Sequence, residues 1–362
     1  MGQIRVVLCG YYGMGNAGDE ALLAAVLQAL PKDVTPVILS GNPLLTANRY
    51  PQAVVVNRKQ VGAVLQSMRS AHVFVWGGGS LIQDATSWAS PLYYTGLMKL
   101  AQWMGLKTIA LAQGIGPLKR RFTRWVARSA FAGCTAVSVR DQGSAAYLSK
   151  WGIPFAIAPD PVWALDSIPV EGLWRLPAPR VAVNLRPHAQ LTPERLDHLT
   201  QALVAFQKAT DAYILLVPFQ KSQDLAIAKQ IQPHLAGVSE ILVLEDPQQI
   251  KGVFRGVEMA IAMRLHGLIM AASEGCRCFA LSYDPKVQQL MADTEMPGWE
   301  MHNLPDNPNE MCRAWLEVYA NGEELSRDRL HFFHDRALIH QETLQRVIET
   351  VRQQQSVSVK RN

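Results

Sequence analysis

The chain has 362 residues, 49% of them hydrophobic, with a net charge of +5 and a pI near 8.9. That length exceeds one ordinary core and predicts two domains of about 100–200 residues each, and no uninterrupted apolar run approaches the roughly 20 residues of a membrane span. Mild basicity suits an anionic substrate, an anionic membrane surface or nucleic acid, and charge alone does not choose among them.

The N-terminus, Met1-Gly-Gln-Ile-Arg-Val-Val-Leu8, enters a strand at once, without the charged region, long apolar core and small-residue cleavage site of a signal peptide, so a cytoplasmic location is expected. Short β-rich runs then alternate with helical segments: Ile4–Cys9, Val34–Leu39, Val73–Trp76, Thr108–Ala112, Ala136–Val139 and Phe155–Ala158. This alternation predicts βαβ units and a parallel sheet covered by helices on both faces. Residues 166–180 hold three prolines and no clean periodicity, and read as a linker. A second series follows at Val181–Leu185, Ala212–Val217, Glu240–Leu244, Met259–Ala262 and Cys278–Ser282. From about Asn309 to Gln353 the pattern is helical with a break at Gly322, and the end from 354 to 362 is polar and expected to fray. The fold class is therefore α/β: two Rossmann-like lobes, 1–165 and 181–305, facing a cleft in GT-B-like fashion, with C-terminal helices over 306–353 crossing back to the first lobe.

The first strand runs into Gly10-Tyr-Tyr-Gly-Met-Gly-Asn-Ala-Gly-Asp-Glu20, where Gly13, Gly15 and Gly18 spell G-x-G-x-x-G. A dinucleotide fingerprint also needs an acidic residue about 20 residues on, to hold the ribose. The next strand exits instead at Ser40, Gly41 and Asn42. Asp19 and Glu20 would moreover repel a pyrophosphate at that helix start. Asn16, Asp19 and Glu20 suit sugar hydroxyls better, with Asp19 as a helix cap the plainer alternative.

In open α/β sheets ligands bind beyond the carboxyl ends of the strands. At those positions stand Trp76-Gly-Gly-Gly-Ser-Leu-Ile-Gln-Asp84, with Gly78 and Gly79 allowing close backbone approach and Ser80 placed to cap the next helix, and Ala112-Gln-Gly-Ile-Gly-Pro117. Arg140 follows the fifth run and precedes Asp141, which also allows a purely structural Arg-Asp pair. The second series adds Arg186 in Asn184-Leu-Arg-Pro187, Arg264 and His266 at the turn from an apolar strand into an apolar helix, and Lys286 in Tyr283-Asp-Pro-Lys286. Four cations at strand ends predict a pocket for carboxylate and phosphate oxygens. A satisfied core histidine is the plainer alternative for His266.

Five cysteines, at 9, 134, 276, 278 and 312, fit reduced thiols rather than a disulfide framework. Cys276-Arg-Cys278 has no second ligand pair at zinc spacing, and no metal or cofactor is expected. Leu118-Lys-Arg-Arg-Phe-Thr-Arg-Trp-Val-Ala-Arg128 is a basic helix with Phe122 and Trp125, read either as a contact to an anionic membrane or as a solvated charged face.

Taken in order, Gly10-x-x-Gly-x-Gly-Asn-x-Gly-Asp-Glu, the Gly-Gly-Gly run, Gln113-Gly-Ile-Gly-Pro, Val139-Arg-Asp, Pro159-Asp-Pro, Arg264-Leu-His-Gly and Ser282-Tyr-Asp-Pro-Lys resemble the polysaccharide pyruvyltransferases, especially the bacterial CsaB-type enzymes. The resemblance covers roughly residues 4 to 295. It implies transfer of a pyruvyl group from phosphoenolpyruvate, a co-substrate, to two hydroxyls of a sugar in a glycan or lipid-linked saccharide, with release of phosphate. In the most similar subgroup the sugar is an N-acetylmannosamine of a lipid-linked cell-wall disaccharide, and the ketal is recognised by surface-layer proteins.

The resemblance places Arg264 and His266 at the donor, with Arg140 and Lys286 at further positions of importance there. Arg186 joins the donor set as a reading from its strand-end position. His266, Arg264 and Lys286 are the catalytic candidates, with His266 as general acid or base; Asn16, Asp19, Glu20, Gly78 and Gly79 are assigned to the acceptor. The partners expected are phosphoenolpyruvate, the saccharide acceptor and a peripheral membrane contact, with no nucleic acid. Two other readings remain open at this point. One is a glycosyltransferase using a nucleotide sugar, kept alive by Glu245 and Asp246, and the other is a non-catalytic sensor of a phosphorylated metabolite.

Overall fold

The computed structural model describes residues 3–85, 87 and 89–361, with side chains described no further than residue 356. The chain forms two compact units. The first comprises the residues up to Met14, Asp19–Leu165 and the chain from Phe333 onward; the second comprises Gly15–Gly18 and Asp166–Phe332.

The first unit is built on β1 (Ile4–Cys9), β2 (Val34–Ser40), β3 (Val54–Asn57), β4 (Val73–Ile82), β5 (Lys107–Ile115), β6 (Ala136–Val139) and β7 (Ala156–Ile157), in the order β3-β2-β1-β4-β5-β6-β7. The pairings are parallel. The helices are α1 (Ala17–Ala29), α2 (Pro43–Arg49), α3 (Val61–Arg69), α4 (Ala89–Trp103), α5 (Arg121–Ala132) and α6 (Gln142–Trp151).

Alternate residues of the strands feed opposite faces, because side chains in a strand alternate. Val7, Cys9, Val37, Leu39, Phe74 and Trp76 join one core. Val6, Leu8, Ile38, Val73 and Val75 join the other, together with Leu23 and Val26 of α1 and Leu344, Val347 and Ile348 from the C-terminal helix. Burial on both faces is why these strands read as continuous apolar runs. The sheet reverses direction between β1 and β4, which makes their carboxyl ends the place for a ligand.

The second unit repeats this winding with β8 (Arg180–Asn184), β9 (Tyr213–Leu216), β10 (Ser239–Ile241), β11 (Met259–Ala262), β12 (Arg277–Ser282) and β13 (Gly298–Glu300), ordered β10-β9-β8-β11-β12-β13. Its helices are α7 (Pro193–Thr210), α8 (Lys221–Ile231), α9 (Pro247–Val253), α10 (Leu265–Ser273), α11 (Pro285–Thr294) and α12 (Pro308–Asn321), and α13 (Arg327–Arg361) ends the chain. Here the reversal lies between β8 and β11.

Several expectations need correction. The segment 166–180 is not a free linker: Val170 and Leu173 are buried, and Ile168 donates its N–H to the Gln248 carbonyl at 3.0 Å. Its prolines hide a segment fixed by tertiary packing rather than by periodicity. The triple glycine lies inside a strand, not after one, since β4 pairs with β5 as far as Ile82↔Ile115. Ser80 is therefore a strand residue and caps no helix. The polar end expected to fray continues as helix to Arg361. Gly322 does cap α12.

The return to the first lobe is carried by α13, whose residues from Phe333 belong to the first unit. His340 fastens it there. Its Nε2–H donates to the Pro159 carbonyl at 2.9 Å, and its Nδ1 accepts from the Ser138 hydroxyl at 2.9 Å; a carbonyl only accepts, so the neutral tautomer is fixed. Burial holds the imidazole down at about 4, from an ordinary 6.5. The unfolded chain then binds the extra proton first as pH falls, so stability is full above 6.5 and is lost towards 4. The full loss is about 3 kcal/mol. Thermal unfolding across that range should show the wild type losing more stability than His340→Gln; equal pH dependence of the two would refute the assignment.

Candidate functional site

In the second unit the crevice between β8 and β11 is set by Arg264, which stands at the N-cap of α10 with extended backbone, φ −82° and ψ 132°. The residue is only 7% exposed. Its guanidinium grips Asp224 in bidentate fashion, Nε to Oδ2 at 2.8 Å and Nη2 to Oδ1 at 2.6 Å. Asp224 Oδ2 also accepts the backbone N–H groups of Phe219 at 3.0 Å and Gln220 at 2.9 Å. With Nε and Nη2 so engaged, Nη1 makes no hydrogen bond among the described residues.

His266 is the second residue of α10, and its imidazole rests against the Gly15–Gly18 segment. A Cβ added at Gly18 would stand 2.2 Å from the His266 Nδ1. Ala17 donates its N–H to the Phe219 carbonyl at 2.8 Å, which fixes the segment in place. The glycine motif that imitates a dinucleotide fingerprint thus serves as the wall of a histidine site. Gly18 is needed because any side chain would displace the ring.

Arg186 follows β8. Its Nη1 donates to the Tyr283 hydroxyl at 2.8 Å, and its guanidinium carbon lies 4.9 Å from the centre of that ring. Lys286 is half-buried in the first turn of α11, where its N–H donates to the Asp284 cap at 2.9 Å. Arg186, Arg264, His266 and Lys286 therefore all stand at the carboxyl edge of one sheet.

Arg140 belongs to the first unit. It follows β6, where it is ion-paired with Asp160, the two side chains 6% and 5% exposed, and donates to Ser80 Oγ at 3.2 Å. The structural pair considered for it exists, but with Asp160 instead of Asp141, because Asp141 caps α6 by accepting the Ser144 N–H at 2.7 Å.

The acceptor candidates separate likewise. Glu20 is buried and spent on structure: it accepts the Gly13 N–H at 2.7 Å and pairs with Arg49 at 3.2 Å. Burial raises its carboxyl group, and Arg49 offsets part of that rise. Asn16 caps α1 through its Oδ1, which accepts the Gly18 N–H at 3.0 Å, so the cap is Asn16 and not Asp19. Asn16 also falls in the second unit, not with the first-lobe residues. Asp19 stays at the crevice of the first sheet, with its Oδ1 3.3 Å from where a Gly79 Cβ would be. Gly78 and Gly79 have φ of +78° and +89°, a region that favours glycine.

Two residues escape sequence reasoning. Arg58, just beyond β3, donates to the Gly10 carbonyl at 3.3 Å and the Tyr94 hydroxyl at 3.2 Å, and lies 4.8 Å from the Tyr93 ring centre. Its only signal is a four-residue strand of mixed exposure. Asp224, 40 residues from Arg264, carries no local signal at all.

Among the described residues, no group of three or more His, Cys, Asp or Glu side chains is arranged to hold a metal. Burial pushes the Cys9, Cys134 and Cys278 thiols up to about 12, which keeps them protonated. The chemistry offered by the second unit is that of fixed cations beside one imidazole, suited to an anion with two charged ends. Removing one partner of a buried pair leaves a charge uncompensated. Asp224→Ala should therefore cost about 3–5 kcal/mol in urea unfolding, most of it recovered in Asp224→Leu with Arg264→Met.

Solved structures match the chain along most of its length. A putative UDP-N-acetylglucosamine 2-epimerase from Listeria monocytogenes is 11% identical, with a TM-score of 0.59 over 92% of this chain and 91% of that one. UDP-N-acetylglucosamine 2-epimerase from Neisseria meningitidis, bound to UDP-GlcNAc, is 10% identical with a TM-score of 0.59 over 95% and 100%. HepE of Anabaena, in complex with UDP and glucose, is 10% identical with a TM-score of 0.55 over 97% and 100%. At such identity the likeness is one of fold, that of the two-domain GT-B glycosyltransferases and epimerases. No curated protein matches the chain. The polysaccharide pyruvyl transferase family model matches residues 16–285, from the cap of α1 to the first residue of α11, and so takes in Asn16, Gly18, Arg140, Arg264 and His266. The chain belongs to the polysaccharide pyruvyl transferase family.

Proposed function

We propose that this protein transfers a pyruvyl group from phosphoenolpyruvate to two hydroxyls of one sugar in a glycan precursor. The observation that carries the reading is Arg264, held by Asp224 with Nη1 left over, two residues before a histidine seated on Gly18. Phosphoenolpyruvate bears a carboxylate and a phosphate, and Arg264, Arg186 and Lys286 supply cations for both.

The reaction balances without any further reactant. The methylene carbon gains one proton, the neighbouring carbon bonds both sugar oxygens, and its bond to the phosphate oxygen breaks. One hydroxyl proton covers the methylene gain and the other leaves with phosphate. His266 moves one of these protons, and a fixed guanidinium stabilises the charge growing on the departing phosphate. Asp19, beside Gly78 and Gly79, suits the hydroxyls of the acceptor. The family membership supports a saccharide acceptor. The CsaB-type resemblance favours an N-acetylmannosamine residue of a lipid-linked cell-wall disaccharide, with the protein working in the cytoplasm.

The test is phosphate release from phosphoenolpyruvate with N-acetylmannosamine-containing and galactose-containing acceptors. Release that depends on acceptor, with the mass of a ketal added to the sugar, is expected; Arg264→Ala and His266→Ala should each lower kcat/KM by at least about 100-fold. No turnover with any acceptor, together with tighter binding of a nucleotide sugar than of phosphoenolpyruvate, would replace this reading by a glycosyltransferase. Gly18→Ala should retain the fold, seen by circular dichroism, while losing at least about tenfold in kcat, since even an ångström of misplacement at a catalytic group is costly.

A further inference from the structure

Helix α5 carries a surface that the proposed reaction does not use. Its inward residues Thr123, Ala127, Ala130 and Phe131 are buried. At about 100° per residue, Arg121, Phe122, Arg124, Trp125 and Arg128 fall on one outward arc of about 160°. All five are exposed, Phe122 at 59% and Trp125 at 67%, and the two rings stack with centres 6.2 Å apart. Lys119 and Arg120, just before the helix, are exposed as well.

Among the described residues, no ion pair is formed by these cations. The stretch 117–133 contains no Asp or Glu. The nearby Asp84 is turned inward and buried, where it accepts the N–H groups of Lys119 at 2.7 Å and Arg120 at 2.9 Å and the Thr123 hydroxyl at 2.6 Å. Asp84 therefore anchors the helix from beneath without neutralising its outer side.

Single exposed aromatics are ordinary, and so are solvated arginines. A stacked aromatic pair set among five cations, with no counter-charge, is the pattern of a helix lying in an interface: rings enter at headgroup depth and cations hold lipid phosphates. From this charge complementarity we infer that α5 docks the protein on a membrane surface rich in anionic lipid. The inference is independent of the reaction proposed above.

The full chain should be sedimented with vesicles of phosphatidylcholine alone and of phosphatidylcholine mixed with phosphatidylglycerol. Binding to the mixed vesicles only, weakened by salt, is expected. Arg121→Glu with Arg124→Glu should lower the partition coefficient by about 30-fold, the factor for two contacts of about 1 kcal/mol each. Phe122→Ala with Trp125→Ala should lower it by roughly tenfold. All four side chains are exposed, so circular dichroism should be unchanged in both variants. Equal binding to the two vesicle types, no binding to either, or binding indifferent to loss of both rings would overturn the proposal. The last outcome would mark a general polyanion patch, such as one for nucleic acid.

Discussion

One buried ion pair organises the second unit. Taking a guanidinium and a carboxylate out of water is expensive, and only bidentate geometry with further hydrogen bonds offsets it. Asp224 meets that condition, since a single oxygen, Oδ2, receives Arg264 Nε and the N–H groups of Phe219 and Gln220. The pair thus ties the turn after β9 to the turn after β11. The Phe219 so fixed offers its carbonyl to Ala17, and Gly18 beside it carries His266. Position is handed from a carboxylate to a loop, from the loop to a glycine, and from the glycine to an imidazole.

The first unit winds in the same order and treats its polar groups differently. Its cation at a strand end, Arg140, is committed to Asp160 and Ser80, and Glu20 is committed to Gly13 and Arg49. Asp19 lies beside the buried glycines Gly78 and Gly79, and Ala112 on the adjoining strand also takes a positive φ of 48°. An edge of fixed cations suits an anion.

Much of this was legible in the sequence. Strands buried on both faces announce themselves as apolar runs, and β6 and β11 begin and end at the residues expected. The edge strands β3 and β13 were missed because each is short and only partly buried. Arg264 and His266 could be placed at the sheet's carboxyl edge because a polar pair between two apolar segments has nowhere to go but the strand's exit. Asp224 was not found, because its meaning arises only when α8 folds beside α10. Glu20 was misread for the same reason: its partner Arg49 lies 29 residues away, and no local pattern signals that the carboxylate will be buried.

Helix α13 makes the first unit discontinuous. One face of its sheet is closed by Leu344, Val347, Ile348 and Val351, residues that follow the whole second unit in the chain. During synthesis, strands β1 to β7 are made first, yet that apolar face, covered in part by Leu23 and Val26 of α1, is not completed until the chain has passed residue 350. The second unit, from Asp166 to Phe332, has no such wait. A nascent chain therefore carries a partly covered hydrophobic sheet while the second unit is being made, and the docking of α13 completes that face.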